Sequence, residues 1–185
     1  MSFSLLSKHI TILFGVSFLL LTLHILDDAF VVNEAAWYGI PTAEFLLGCI
    51  LLYGIVPPFG LWLARRDRSA GFFILILFGF QALYGAGLNH IRHLLGDFRG
   101  SQLLPGLLNG SGMQLGDLNG RGLASLFAGM LGLNSGVPPH THTMLSNVIV
   151  FLSVGVNLVL LGFIVLALWQ KFFTQKRILT DGKSA

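Results

Sequence analysis

The residues that could carry chemistry in this chain are histidines and carboxylates, and they gather in a few short stretches. The densest is Asn89-His90-Ile91-Arg92-His93, with Asp97 downstream. On a helix, positions i, i+3 and i+7 share one face, so His90, His93 and Asp97 are expected to form a single polar stripe. His24, Asp27 and Asp28 repeat the theme at i, i+3 and i+4 spacing. Glu44 stands about one turn inside an apolar segment, and His140 and His142 flank Thr141 in a proline-rich stretch. Imidazole nitrogen together with carboxylate oxygen is the donor set of zinc, non-haem iron or copper.

The expected site places His24, His90, His93 and Glu44 around one divalent ion. Asp27 or Asp97 then orients a histidine from behind the ligand set, where His142 also stands, and His140 and His142 govern access from a flexible loop. Glu44 is either a ligand or the general base on a metal-bound water. Without metal, it is a neutral carboxyl hydrogen-bonded to Asn89 or to a histidine. A charge near the hydrocarbon region needs a partner, which makes each of these groups a site candidate in its own right.

The elements that must position these groups follow from composition. Hydrophobic residues make up 54% of the chain and charged residues 10%, with a mean hydropathy of +0.78. Soluble domains carry about 25% charged residues, so the reading is an all-α integral membrane protein of one domain. A spanning helix needs ~20 apolar residues, and four segments qualify, at about 9–26, 41–64, 69–95 and 144–169. No small-residue cleavage site follows the first, so it is expected to be retained. Pro57-Pro58 should kink the second. Gly85, Ala86 and Gly87 in the third should let another helix approach closely.

The stretch 98–143 forms a long outer loop rich in Gly, Leu, Asn and Ser. Its apolar piece from Gly122 to Leu133 is too short to cross, so a short interfacial or re-entrant helix is expected there. Leu123, Leu126, Phe127, Met130 and Leu131 recur on it at helical spacing, toward lipid or the bundle. Residues 171–185 form a polar tail. The single cysteine, Cys49, excludes an intrachain disulfide.

Eight of the eleven basic residues fall on one side of this layout: Lys8, Arg65, Arg66, Arg68, Lys171, Lys176, Arg177 and Lys183. That side is expected to be cytoplasmic, with both termini there, in a multi-pass protein of the cell membrane. The other side holds Arg92, Arg99 and Arg121. The basic residues form no continuous patch, which argues against nucleic acid. The Gly-rich stretch Asn109-Gly110-Ser111-Gly112 lacks the lysine of a phosphate-binding loop.

Three functions are compatible with this pattern. The first is a metalloprotein with a His and carboxylate site, acting on a lipid-soluble or periplasmic substrate. The second is a non-catalytic accessory protein whose outer loop docks another membrane protein. The third is a haem b electron-transfer protein with axial ligands drawn from His24 and either His90 or His93.

Overall fold

The computed structural model describes residues 3–99, 122–130 and 137–181, and every element among them is helical. Four runs are long and apolar enough to cross a membrane: Leu5–Val32, Thr42–Arg65, Ser69–Leu94 and Met144–Phe173. Lipid offers no partner to backbone N–H and C=O groups, so a spanning segment of this composition must satisfy them internally. The architecture is that of a multi-pass membrane protein whose apolar outer faces meet the bilayer.

Helix α1 (Phe3–Asp27) continues through a wide π turn, Asp28–Val32, and stops at Asn33, whose backbone is left-handed at φ 60°. Asparagine tolerates that conformation better than most residues. A 3₁₀ turn, Glu34–Tyr38, and Pro41 lead into α2 (Thr42–Cys49). A second π stretch, Ile50–Ile55, joins α2 to α3 (Val56–Arg65). Pro57 and Pro58 have no N–H to give the preceding turn, and the wider turn in front of them absorbs that mismatch. The kink expected at the prolines therefore takes the form of a π segment just ahead of them.

The third run is α4 (Ser69–Gln81), a π stretch Ala82–Leu88, and α5 (Asn89–Leu94). Helix α6 spans Leu123–Met130, and α7 spans Met144–Asp181. The short helix expected within 122–133 is thus present over its described part. Leu126 is buried on it and Leu123 is exposed, whereas Leu131 lies outside the described residues. Most of the stretch expected to form an outer loop, 100–121 and 131–136, also lies outside them.

Helix α1 packs along α7, and α4 packs against both α3 and α7. The α3–α4 contact is very close at Gly71, where an added Cβ would lie 2.2 Å from the Ala64 backbone nitrogen. Leu6, Ile10, Leu160 and Ile164 are fully or almost fully buried, and Phe14 meets Phe78 at 5.4 Å. Midway along the bundle the Ser17 hydroxyl donates to Asn157 Oδ1 at 2.9 Å, and Asn157 Nδ2 donates to the Ser153 carbonyl at 2.9 Å. Such bonds fasten helices where lipid competes for no hydrogen bond. At the end of the bundle remote from the histidine cluster, Lys171 Nζ donates to the Asp67 carbonyl and to its carboxylate, the latter at 3.0 Å.

Gly87 decides what lies next to the site. An added Cβ there would fall 2.5 Å from Val154 Cγ2, so glycine lets the third run close onto α7. That approach brings His90 on α5 to Asn147 on α7.

Candidate metal centre

One ligand nitrogen each from His93, His140 and His142 lies within 4.8 Å of the other two. His93 comes from α5, and the other two come from the extended segment leading into α7. Pro138 and Pro139 fix φ ahead of that pair, and in extended chain residues i and i+2 point the same way. His140 Nε2 and His142 Nε2 are 2.9 Å apart as a result. His140 Nδ1 donates to the Pro138 carbonyl at 2.8 Å, which fixes the tautomer and leaves the lone pair on Nε2.

In that arrangement His142 Nε2 donates its proton to His140. His142 Nδ1 is then buried with no hydrogen-bond partner among the described residues. Burial, reinforced by neighbouring His90 and His140, pushes His142 down to about 3. At neutral pH it is an uncharged imidazole, the form that binds metal. A divalent ion that takes the place of the shared proton would use lone pairs already turned toward one another.

The expected ligand set is arranged differently. His90 is buried, but its Nε2 donates to Asn147 Oδ1 at 2.7 Å, and its ring packs 3.8 Å from the His142 ring. It buttresses the triad. His24 meets His90 edge-on at 6.0 Å and sits 3.4 Å from Asp28, the first residue of the π turn that continues α1. Glu44 is exposed on α2, and the next residue, Phe45, turns to the interior, because successive helical residues differ by about 100°. Among the described residues, only the triad brings three histidine, cysteine or carboxylate ligand atoms to one point.

Asp97 does not share the His90 and His93 face. Helix α5 stops at Leu94, Gly96 takes a left-handed φ of 78°, and Asp97 returns onto Arg92 at 2.9 Å and Arg99 at 2.8 Å. Hydrogen bonds from Arg99 and Arg92 hold its carboxyl well below the ordinary carboxylate range. Asp27 Oδ2 is buried without a partner among the described residues, and it is Asp28 that lines the cavity beside the triad.

That cavity has a volume of about 140 Å³. His24, Asp28 and Glu34 stand on its wall together with the triad. Tyr38 donates to Glu34 at 3.4 Å. Burial first, then the charge of Asp28, raises the Glu34 carboxyl well above its ordinary value. Helix α6 is pinned over the cavity at both ends: Gly122 N–H donates to the Tyr38 carbonyl at 2.8 Å, and Gln81 Nε2 donates to the Met130 carbonyl at 3.3 Å.

In the sequence, Glu34 simply ends a short acidic connection that begins at Asp27, and His140 lies with His142 in a proline-rich loop. The signal for His140 was present, since His-x-His in a non-helical, proline-flanked segment has the two-residue period of extended chain. No comparable signal marked Glu34, which reaches the cavity only because the chain reverses at Asn33. No protein-family model matches the chain, and no curated protein or solved structure matches it.

Proposed function

We propose that this chain is a multi-pass membrane metalloprotein whose divalent ion is held by His93, His140 and His142 and faces the adjoining cavity. The observation that carries the reading is the convergence of three imidazole nitrogens within 4.8 Å, one of them with its tautomer fixed by a carbonyl. Neutral nitrogen donors suit zinc, copper or iron, and three protein ligands with a fourth position left for water or substrate is the pattern of catalytic sites. A cavity of about 140 Å³ favours an ion over a haem, because cofactor pockets run to roughly 300 Å³ and more. In this reading the triad lies on the outer, periplasmic side, opposite the eight basic residues, within reach of lipid-soluble or periplasmic substrates.

Trp37 supplies the test, since its ring is 4.5 Å from that of His140. Copper(II) added to detergent-purified protein should quench part of the tryptophan emission saturably in the parent and not in Trp37→Phe. Elemental analysis should find one equivalent of metal, lost in His93→Ala. Protein that purifies without metal, takes up none and shows no quenching would end this reading.

A further inference from the structure

We propose that the turn between α3 and α4 binds an anionic phospholipid, with Arg65, Arg66 and Arg68 on its phosphate and Trp62 and Phe59 along its glycerol and upper acyl chain. The proposal is independent of the metal reading and concerns the opposite end of the bundle.

The first observation is positive charge without a counter-charge. Arg65, Arg66, Asp67 and Arg68 are consecutive and all exposed. The one carboxylate among them is already engaged: Lys171 of α7, itself only 12% exposed, lies 3.0 Å from Asp67 Oδ1. No carboxylate among the described residues pairs with any of the three arginines. A guanidinium presents its N–H groups as a fork that fits phosphate oxygens two at a time.

The second observation is a fixed scaffold under those arginines. Helix α3 closes with the Asp67 N–H on the Ala64 carbonyl at 2.9 Å and the Arg68 N–H on the Leu63 carbonyl at 3.0 Å. That pattern needs a left-handed residue at its corner, and Asp67 supplies it at φ 56° where glycine is usual. Lys171 Nζ holds the aspartate there by donating to its carbonyl as well as its carboxylate. The arginines therefore leave a turn whose backbone is set before any ligand arrives, which lowers the ordering cost of binding.

The third observation is an amphipathic column on the outer face of α3. Arg66 Cζ stands 3.9 Å above the Trp62 ring, and Trp62 stacks on Phe59 at 5.4 Å with 21° between the planes. Phe59, Trp62 and Arg66 recur at i, i+3 and i+7 and are exposed, whereas Gly60 and Ala64 turn toward α4. Stacking covers a face of the guanidinium and leaves its N–H edge free for an anion.

A cation above two rings repeats the layering of a phospholipid, with the phosphate outermost and the acyl chain beneath. A soluble phosphate would leave both rings bare, and an acidic polypeptide in water would not reach Phe59. The turn also lies on the side expected to be cytoplasmic, where the leaflet carries anionic lipid. Topology requires positive charge anywhere on that side, but a lipid site requires it at these positions, and the experiment measures that difference.

The full chain with Trp62 as its one tryptophan, made by Trp37→Phe and Trp169→Phe, is reconstituted in phosphatidylcholine vesicles. Increasing fractions of brominated phosphatidylglycerol or brominated phosphatidylcholine are included, and quenching reads which lipid lies against the ring. A second protein that keeps only Trp169, exposed and two residues before Lys171, reports general enrichment at the same end. Phosphatidylglycerol should associate at Trp62 at least ~10-fold more strongly than phosphatidylcholine, since each basic group near anionic lipid contributes about fivefold. At Trp169 the preference should be smaller.

Arg66→Lys keeps the charge count, and hence the insertion, but loses the stacked fork, so the preference should fall ~2–5-fold. The triple variant Arg65→Gln, Arg66→Gln, Arg68→Gln should quench equally with either lipid. If it does not fold, Arg65→Gln and Arg68→Gln are measured singly, each with an expected loss of about fivefold. Equal quenching by the two lipids in the parent, the same preference at both tryptophans, or an undiminished preference in Arg66→Lys or in the glutamine variants would overturn the proposal. Recovery of Trp62 emission on adding polyglutamate would give the face to an acidic protein and overturn it as well.

Discussion

His140 Nε2 stands 2.9 Å from His142 Nε2, across a single intervening residue. Two nitrogens bound to one tetrahedral ion at ~2.0–2.1 Å would be roughly 3.3 Å apart. The pair is thus a few tenths of an ångström tighter than its metal-bound form, and the proton it shares marks where an ion would enter. The ion's third nitrogen must come from α5, which ties the extended segment to the bundle.

Metal should depend on the triad and not on the other acidic or imidazole groups. His93→Ala, His140→Ala and His142→Ala are each expected to abolish stoichiometric binding, measured by elemental analysis of folded protein. Glu44→Ala, on an exposed face of α2, should leave it unchanged. Asn147→Leu, which frees the His90 ring that packs on His142, should weaken affinity by ~10–100-fold. Retained metal in the triad variants, or loss in Glu44→Ala, would refute this assignment.

Stability should fall with rising pH on account of Glu34. Its carboxyl is raised above the ordinary value of 4.5, so the folded state keeps a proton that the unfolded chain gives up. The folded state is then favoured most below about 4.5 and loses that advantage as pH climbs toward the folded value. Glu34→Gln should flatten the unfolding midpoint against pH and raise it at neutral pH. Parallel profiles for parent and variant would show that Glu34 does not control this slope.

Two glycines in spanning helices should respond oppositely to alanine. At Gly71 the new Cβ meets Ala64 backbone at 2.2 Å, which no side-chain motion relieves, so overpacking of about 1–3 kcal/mol is expected. At Gly162 nothing lies within 4 Å, and the gain in helix propensity should stabilise by roughly 0.5–1 kcal/mol. Reversible unfolding in mixed detergent measures both, and equal effects would contradict the close α3–α4 contact.

Asn157→Leu should destabilise the bundle by about 1 kcal/mol, because Ser17 loses its acceptor in a region without water. Ser17→Ala should cost a similar amount, and the double variant little more than either alone. Additive losses would mean that the two residues act separately.

Reporter fusions at residue 67 and near residue 115 should report opposite sides of the membrane, with residue 67 cytoplasmic. The expectation rests on eight basic residues falling on one side of the four runs. Fusions that report the same side would break the four-span topology.

The sequence by itself determined the class of the protein and the four spans. Leu5–Val32, Thr42–Arg65, Ser69–Leu94 and Met144–Phe173 match the apolar segments closely, because a span is a property of consecutive residues and length. The sequence also singled out His24, His90, His93, His140 and His142 as the imidazoles that could carry chemistry. What it left open was which of them meet, and there the tertiary structure decided. Helical period put His90 and His93 on a common stripe, but the closeness permitted by Gly87 gave His90 to Asn147, and the end of α5 at Leu94 turned Asp97 to Arg92 and Arg99. Glu44 was conspicuous as a lone charge in an apolar helix, yet its rotation about α2 faces it outward. His140 and Glu34 reach the cavity through an extended proline segment and a left-handed Asn33, and such turns depend on backbone angles that no periodicity records.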